Sequence, residues 1–452
     1  MTAAPMPMEP VMPRWRARMG SSVSLVTITV VLMTALRLPS TVILTRLLSP
    51  EDFGVTAITG AIITVLLMMS DLGFGVFVIQ HAQGDDPRFL DVVWTVRLVR
   101  SVVLTIGLAL LARPLAMLVG QPALTLAIAV TALHFIIESS SSLSLMTVVR
   151  QQKLLRLSIL DVGSTAIQIG LGIAFALVMH NYWAIIIGGL LANVIKSVLS
   201  YTAFPGSRRR LAFDRGLFIE MWRFGRTILG AHTIQVLLSQ VDKLVLSRLF
   251  SLNLFGVYSV AMNLAGAPSA FTTSYPSRVL LPAYAHAHRV APATLRDVYY
   301  DGRRMVMMLY LATMGGFIGF APATIHILYD PRYALAGSYL GILAVAPLIG
   351  LNNYAAREVL ISIGQVRPLL VANIVRLVWL AGAGTAGFLA FGPIGLVAAV
   401  GTIEVPVQVY NWWQLRRNNL LKVDQELLML AVAGAGVAAG LAGTRMFTAA
   451  FG

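Results

Sequence analysis

Six basic side chains, Arg37, Arg97, Arg100, Lys243, Arg357 and Arg376, stand inside long apolar runs rather than between them. A charge at the centre of a membrane helix costs about 2.5–3.5 kcal/mol on insertion scales, so such residues mark a hydrated cavity or pathway. Guanidinium groups present planar forks of N–H donors that match phosphate oxygens. The chemistry expected of them is the binding of a dense anion. Five more bases, Arg46, Lys196, Arg226, Arg248 and Arg278, share the runs with six acids: Asp71, Glu138, Asp161, Asp242, Glu358 and Glu404. The balance inside the runs is therefore cationic. For Arg46, Arg226, Arg248, Arg278 and Arg357, all near run ends, the competing account is a side chain that snorkels to the headgroups.

The acids have two readings as well. Glu138, Asp161, Asp242, Glu358 and Glu404 either bind a coupling proton or sodium ion or simply neutralise nearby arginines. Two polar stripes at helical spacing accompany them. One runs through His232, Gln235, Ser239 and Asp242 and extends to Lys243; the other runs through Thr131, His134, Glu138 and Ser142. Such stripes line a water path or join helices by hydrogen bonds. His134 and Glu138 have the spacing of a two-ligand metal pair, but no third ligand is apparent, and metal sites need three or four. No metal and no cofactor are expected. The chain has 0 cysteines, which excludes thiolate chemistry and disulfides, and it carries no nucleotide-binding loop.

The elements that must position these residues are membrane helices. Of 452 residues 57% are hydrophobic and 12% charged, against about 25% charged in a soluble domain. Thirteen apolar spans are expected, near 22–47, 53–79, 89–118, 121–148, 155–179, 181–203, 222–250, 252–285, 303–328, 334–363, 367–391, 393–414 and 425–448. Pro39, Pro268, Pro276, Pro347 and Pro406 fall within them as kinks. The N-terminal tail and even-numbered connections hold twenty Lys and Arg; the odd-numbered connections and the C-terminus hold Arg113, Arg332 and Arg445. The positive-inside rule then places the N-terminus in the cytoplasm. The net charge of +15 follows from those loops and does not call for nucleic acid. The first run lacks a small-residue cleavage pattern and reads as a spanning helix, not a signal peptide.

A repeat organises the spans. Residues 44–55 read LTRLLSPEDFGV and residues 246–257 read LSRLFSLNLFGV. Arg46, Phe53 and Gly54 recur as Arg248, Phe255 and Gly256, each time at the join between the first and second helix of a six-helix half. The expected organisation is a cytoplasmic tail (1–20), an N-lobe (21–203), an inter-lobe linker (204–221), a C-lobe (222–414), and a C-terminal linker with one extra helix (415–452). The fold class is an all-α polytopic membrane protein of two six-helix bundles in parallel repeat around a central cationic cavity. Transporters with this plan place the substrate between the halves.

The join from Leu44 to Gly54, the following Asp71-Leu-Gly-Phe-Gly, and the counterpart from Val241 to Tyr258 together resemble the polysaccharide-transport, Wzx-type oligosaccharide flippases of the multidrug/oligosaccharidyl-lipid/polysaccharide exporter superfamily. The resemblance covers about 400 residues in helix order and length. It implies a secondary transporter in the bacterial inner membrane, not an enzyme. Its substrate would be an undecaprenyl-pyrophosphate-linked oligosaccharide, carried outward by alternating access, with a polysaccharide polymerase or other assembly proteins as further partners. Arg37, Arg97, Arg100, Lys243, Arg357 and Arg376 would line the cavity and hold the pyrophosphate. A lipid-II-type flippase, a multidrug exporter of the same superfamily, and an integral-membrane glycosyltransferase or polymerase are the alternatives. Multidrug substrates are typically cationic, which the excess of bases disfavours.

Overall fold

The computed structural model describes residues 14–151, 154–204 and 209–451. These residues form helices and no strand. Thirteen rods follow one another: α1 (Arg14–Leu47), α2 (Pro50–Gln80), α3 (Pro87–Leu118), α4 (Pro122–Ser139, then Ser144–Arg150), α5 (Leu154–Met179), α6 (Trp183–Thr202) and α7 (Arg215–Leu249). Then come α8 (Leu252–Val290), α9 (Pro292–Gly319 and Ala321–Leu328, bent by 68°), α10 (Ala336–Ser362), α11 (Arg367–Phe391), α12 (Pro393–Arg417) and α13 (Val423–Phe451). Ten rods are long and apolar enough to cross a bilayer among the described residues, and bent α9 makes eleven. The protein is a multi-pass membrane protein. Rods α1 and α7 lie outside that count; α7 alone carries Arg215, Glu220, Arg223, Arg226, Asp242, Lys243 and Arg248.

The breaks follow from local chemistry. Proline lacks the N–H that a helix needs and crowds the carbonyl four residues earlier. Accordingly α10 loosens at Ala344 before Pro347, and α12 at Thr402 before Pro406. Rod α8 breaks at Gly266–Pro268 and passes through a wide turn, Pro276–Leu280, that absorbs Pro276. Pro39, by contrast, sits within an unbroken α1. Rod α4 is open at Ser140–Leu143, where its freed polar groups stay inside the protein: Ser200 Oγ accepts from Ser142 N at 2.9 Å and Tyr201 OH donates to Ser140 O at 2.6 Å. That is the condition under which irregular backbone survives at membrane depth.

The rods pack in two groups. Rod α1 packs on α5, α5 on α6, and α6 on α4, which lies against α3; rods α8, α10, α11 and α12 form the second group, with α13 laid along α9. Rod α2 bridges them, running against α7 and α8. The two sequence repeats meet here. Ser49 and Ser251 cap α2 and α8, each accepting from the backbone N–H three residues on at 3.3 Å. Gly54 lies against the carbonyl of Leu252, and Gly256 lies against the carbonyl of Pro50. A β-carbon at either position would overlap that carbonyl, so only glycine lets the backbones approach so closely. The contacts around them are reciprocal too. Arg332 of the α9–α10 turn donates to the Thr45 carbonyl at 3.4 Å, while Arg248 lies against Gly120 of the α3–α4 turn. Arg46 and Arg248 are both exposed in the last turns of their helices. The motif end of the molecule is thus closed by backbone contact. At the opposite end, Leu72, Phe74, Phe77 and Phe89 form an apolar cluster with Met221 and Phe224 of α7.

Candidate substrate cavity and its charged lining

A cavity of about 870 Å³ lies between the two groups, walled by α1, α2, α5, α6 and α8. Thr64, Thr165, Gln168, Asn263 and Tyr329 give it polar walls, and Arg37 is the charged residue in its lining. The hydroxyls of Ser40 and Thr41 bond back to the Arg37 carbonyl at 2.8 and 3.0 Å, so these residues turn their hydrogen bonding onto the helix and leave the guanidinium to the cavity. Arg37 takes part in none of the ion pairs among the described residues, and its side chain is exposed.

The other five bases expected at the cavity are held elsewhere. Arg97 is 9% exposed and donates to the Glu138 carbonyl at 2.8 Å and to Ser141 Oγ at 3.3 Å, which closes the end of the first segment of α4. Arg100, one turn on, faces Asp71 at 3.9 Å and lies over the Phe74 ring at 5.3 Å. Lys243 bonds Gln240 Oε1 at 3.3 Å. Arg357 donates to Glu358 and covers the Tyr354 ring at 4.9 Å. Arg376 forks onto both oxygens of Glu404 at 2.9 Å and reaches Asn373 at 2.8 Å. The six do not converge on one point.

The acids are accounted for by these neighbours. Glu138 pairs with His134 at 3.5 Å, and Asn193 Nδ2 lies 3.3 Å from the other ring nitrogen. Asp161 binds Lys196 at 2.8 Å. Asp242 is 4% exposed and accepts from Tyr258 OH at 2.7 Å. Together with Ser239, Tyr354 and Glu404 it lines a second cavity, of about 290 Å³, between α7 and rods α8, α10, α11 and α12. The side chains of His232 and Gln235 lie outside the described residues. At the motif end Asp330, hydrogen-bonded by Arg332, is held below the usual carboxylate range.

One charged cluster escaped the sequence reading. Arg303 is fully buried and pairs with Glu426 of α13 at 2.8 Å, stacked on Tyr299 at 4.0 Å. Asn352 and Trp412 each donate to Glu426 at 2.8 Å, and Tyr300 does so at 3.1 Å. Arg303 falls at a span start beside Arg304 and Glu426 at another span's start, so neither stands out along the chain.

Helices grouped on either side of a charged cavity define a polytopic membrane protein with the architecture of the multidrug/oligosaccharidyl-lipid/polysaccharide transporters. A multidrug-resistance MATE family transporter of that superfamily, solved inward-facing, matches with a TM-score of 0.65 at 17% identity, over 86% of this chain and 95% of its own. The lipid II flippase MurJ, in an inward closed conformation, matches at 0.61 and 10% identity, over 92% and 90%. The chain belongs to the polysaccharide biosynthesis protein family, whose profile matches residues 43–336. Similar proteins include the succinoglycan biosynthesis transport protein ExoT of Rhizobium meliloti, 23% identical over 78% of this chain and 70% of that one. The amylovoran biosynthesis protein AmsL of Erwinia amylovora is 25% identical over 59% and 69%.

Proposed function

We propose that the protein is a flippase for an undecaprenyl-diphosphate-linked oligosaccharide in exopolysaccharide, capsule or O-antigen synthesis. It works by alternating access between its two helix groups and is a transporter, not an enzyme. The observation that carries this reading is Arg37: a guanidinium with no carboxylate partner among the described residues, lining the cavity of about 870 Å³ between the groups. A diphosphate cannot cross hydrocarbon unaided, and an unpaired guanidinium fork is the group that would hold it. A cationic drug would find no counter-charge among the described lining residues, which disfavours the multidrug alternative. Relatives named for succinoglycan and amylovoran biosynthesis support a glycan cargo.

The proposed setting is the bacterial inner membrane with the N-terminus in the cytoplasm, because the basic residues gather on that side. A proton or sodium gradient is proposed to drive the cycle, with Glu138, Asp161 and Asp242 as the candidate ion-binding groups; Glu358 and Glu404 are held in the pairs with Arg357 and Arg376. A polymerase is the proposed downstream partner.

The test is complementation of a flippase-deficient strain with membrane levels checked. A charge-assisted contact contributes about 1.5–3 kcal/mol, so Arg37→Ala is expected to lower export roughly tenfold or more. Arg37→Lys should recover part, since the charge survives and the fork does not. Normal insertion with wild-type export by Arg37→Ala would remove the assignment.

A further inference from the structure

A pocket of about 160 Å³ opens between α10, α11 and α12. Its polar walls are Asn353, Tyr354, Arg357, Asn373, Arg376 and Asn411. Both guanidinium groups there are already neutralised, Arg376 by Glu404 and Arg357 by Glu358. Two cations and two anions leave the pocket with no net charge. An entering diphosphate would have to displace fixed carboxylates, whereas at Arg37 it displaces none.

The amides are oriented and retain spare capacity. Asn411 Nδ2 donates to Asn353 Oδ1 at 3.0 Å, and Asn353 Nδ2 donates to Glu404 at 2.7 Å. Asn373 Oδ1 accepts from Arg376. The Asn373 amide N–H groups, the Asn411 carbonyl and the Tyr354 hydroxyl make no hydrogen bond among the described residues. An uncharged wall that offers fixed donors and acceptors beside an aromatic ring suits a ligand whose groups both donate and accept, as sugar hydroxyls do. The pocket also adjoins the other cavities. Tyr354 lines both it and the cavity of about 290 Å³, and Gly266 lines both that cavity and the one holding Arg37.

We propose that this pocket is a subsite for a neutral sugar of the lipid-linked glycan, separate from the diphosphate site at Arg37. The proposal rests on the flippase reading. It assigns Arg357 and Arg376 to the glycan, with Glu358 and Glu404 holding them neutral.

The test measures binding of two probes to purified full-length protein in detergent: bare undecaprenyl diphosphate, and the undecaprenyl-diphosphate-linked oligosaccharide extracted from the producing strain. Wild type should prefer the glycosylated lipid. Asn373→Ala and Tyr354→Phe should cut that preference by about tenfold while bare-lipid binding stays within about twofold. Arg37→Ala should weaken both probes alike. Glu358→Gln adds a net positive charge to the pocket and should leave bare-lipid affinity unchanged; a rise would show that the diphosphate sits there and overturn the subsite. Equal loss of both probes in Asn373→Ala, no loss of either, or wild type that binds the two probes equally would also overturn it, with the flippase reading intact. Wild type that binds neither probe would overturn the flippase reading and the subsite with it.

Discussion

Arg303 and Glu426 show what a charge inside this protein requires. Both are buried, and every oxygen of Glu426 is engaged: Oε1 by Arg303 and Tyr300, Oε2 by Asn352 and Trp412. Removing one partner of such a pair leaves an uncompensated charge and costs about 3–5 kcal/mol. Glu426→Ala is therefore expected to lower thermal stability and membrane abundance sharply, whereas the double variant with Arg303→Met should recover much of the loss. A double variant no better than Glu426→Ala would mean that the pair does not act as a unit. Among the described residues Arg37 has no such shell, and that contrast separates a residue that holds the fold from one left facing a cavity.

At the scale of elements, the contact between α2 and α8 governs the motif end. Each helix lays a glycine against a carbonyl in the first turn of the other. Overpacking costs about 1–3 kcal/mol, which corresponds to a shift of about 5–150-fold between closed and open states. Gly256→Ala is expected to hold the motif end open and to lower export. The chain has 0 cysteines, so a pair introduced at Glu51 and Asn253 reports on this end alone. Cross-linking should drop in Gly256→Ala while the protein still inserts. Undiminished cross-linking would show that the helices accommodate the methyl group without parting. Rod α13, clamped through Glu426 and packed backbone to backbone on α9 through Gly315 and Gly319 against Gly436 and Gly440, is expected to move with α9 as one body.

At the scale of the whole molecule, orientation and energy source are open to direct measurement. Reporter fusions after Arg156, Arg210 and Arg303 should report cytoplasm, and fusions near Gln121 and Arg332 the outside; the reverse pattern would invert the proposed topology. If the buried carboxylates couple transport to an ion, flipping in vesicles should follow an imposed proton or sodium gradient. Indifference to both would leave movement down the substrate's own gradient as the mechanism.

The amino-acid order by itself determined the helices, their number as rods, the repeated motif and the excess of bases within the apolar runs, because these are written in runs, spacings and counts along one chain. The pairing of each base was decided only by tertiary structure. Arg97 and Arg100 are three residues apart on one helix, yet one closes a broken helix while the other faces Asp71 and an aromatic ring. Arg376 meets Glu404 across 28 positions, and Arg303 meets Glu426 across 123. A guanidinium acts on an incoming anion according to whether a carboxylate already occupies it. That depends on distances of a few ångströms between helices remote in sequence, which no local pattern encodes.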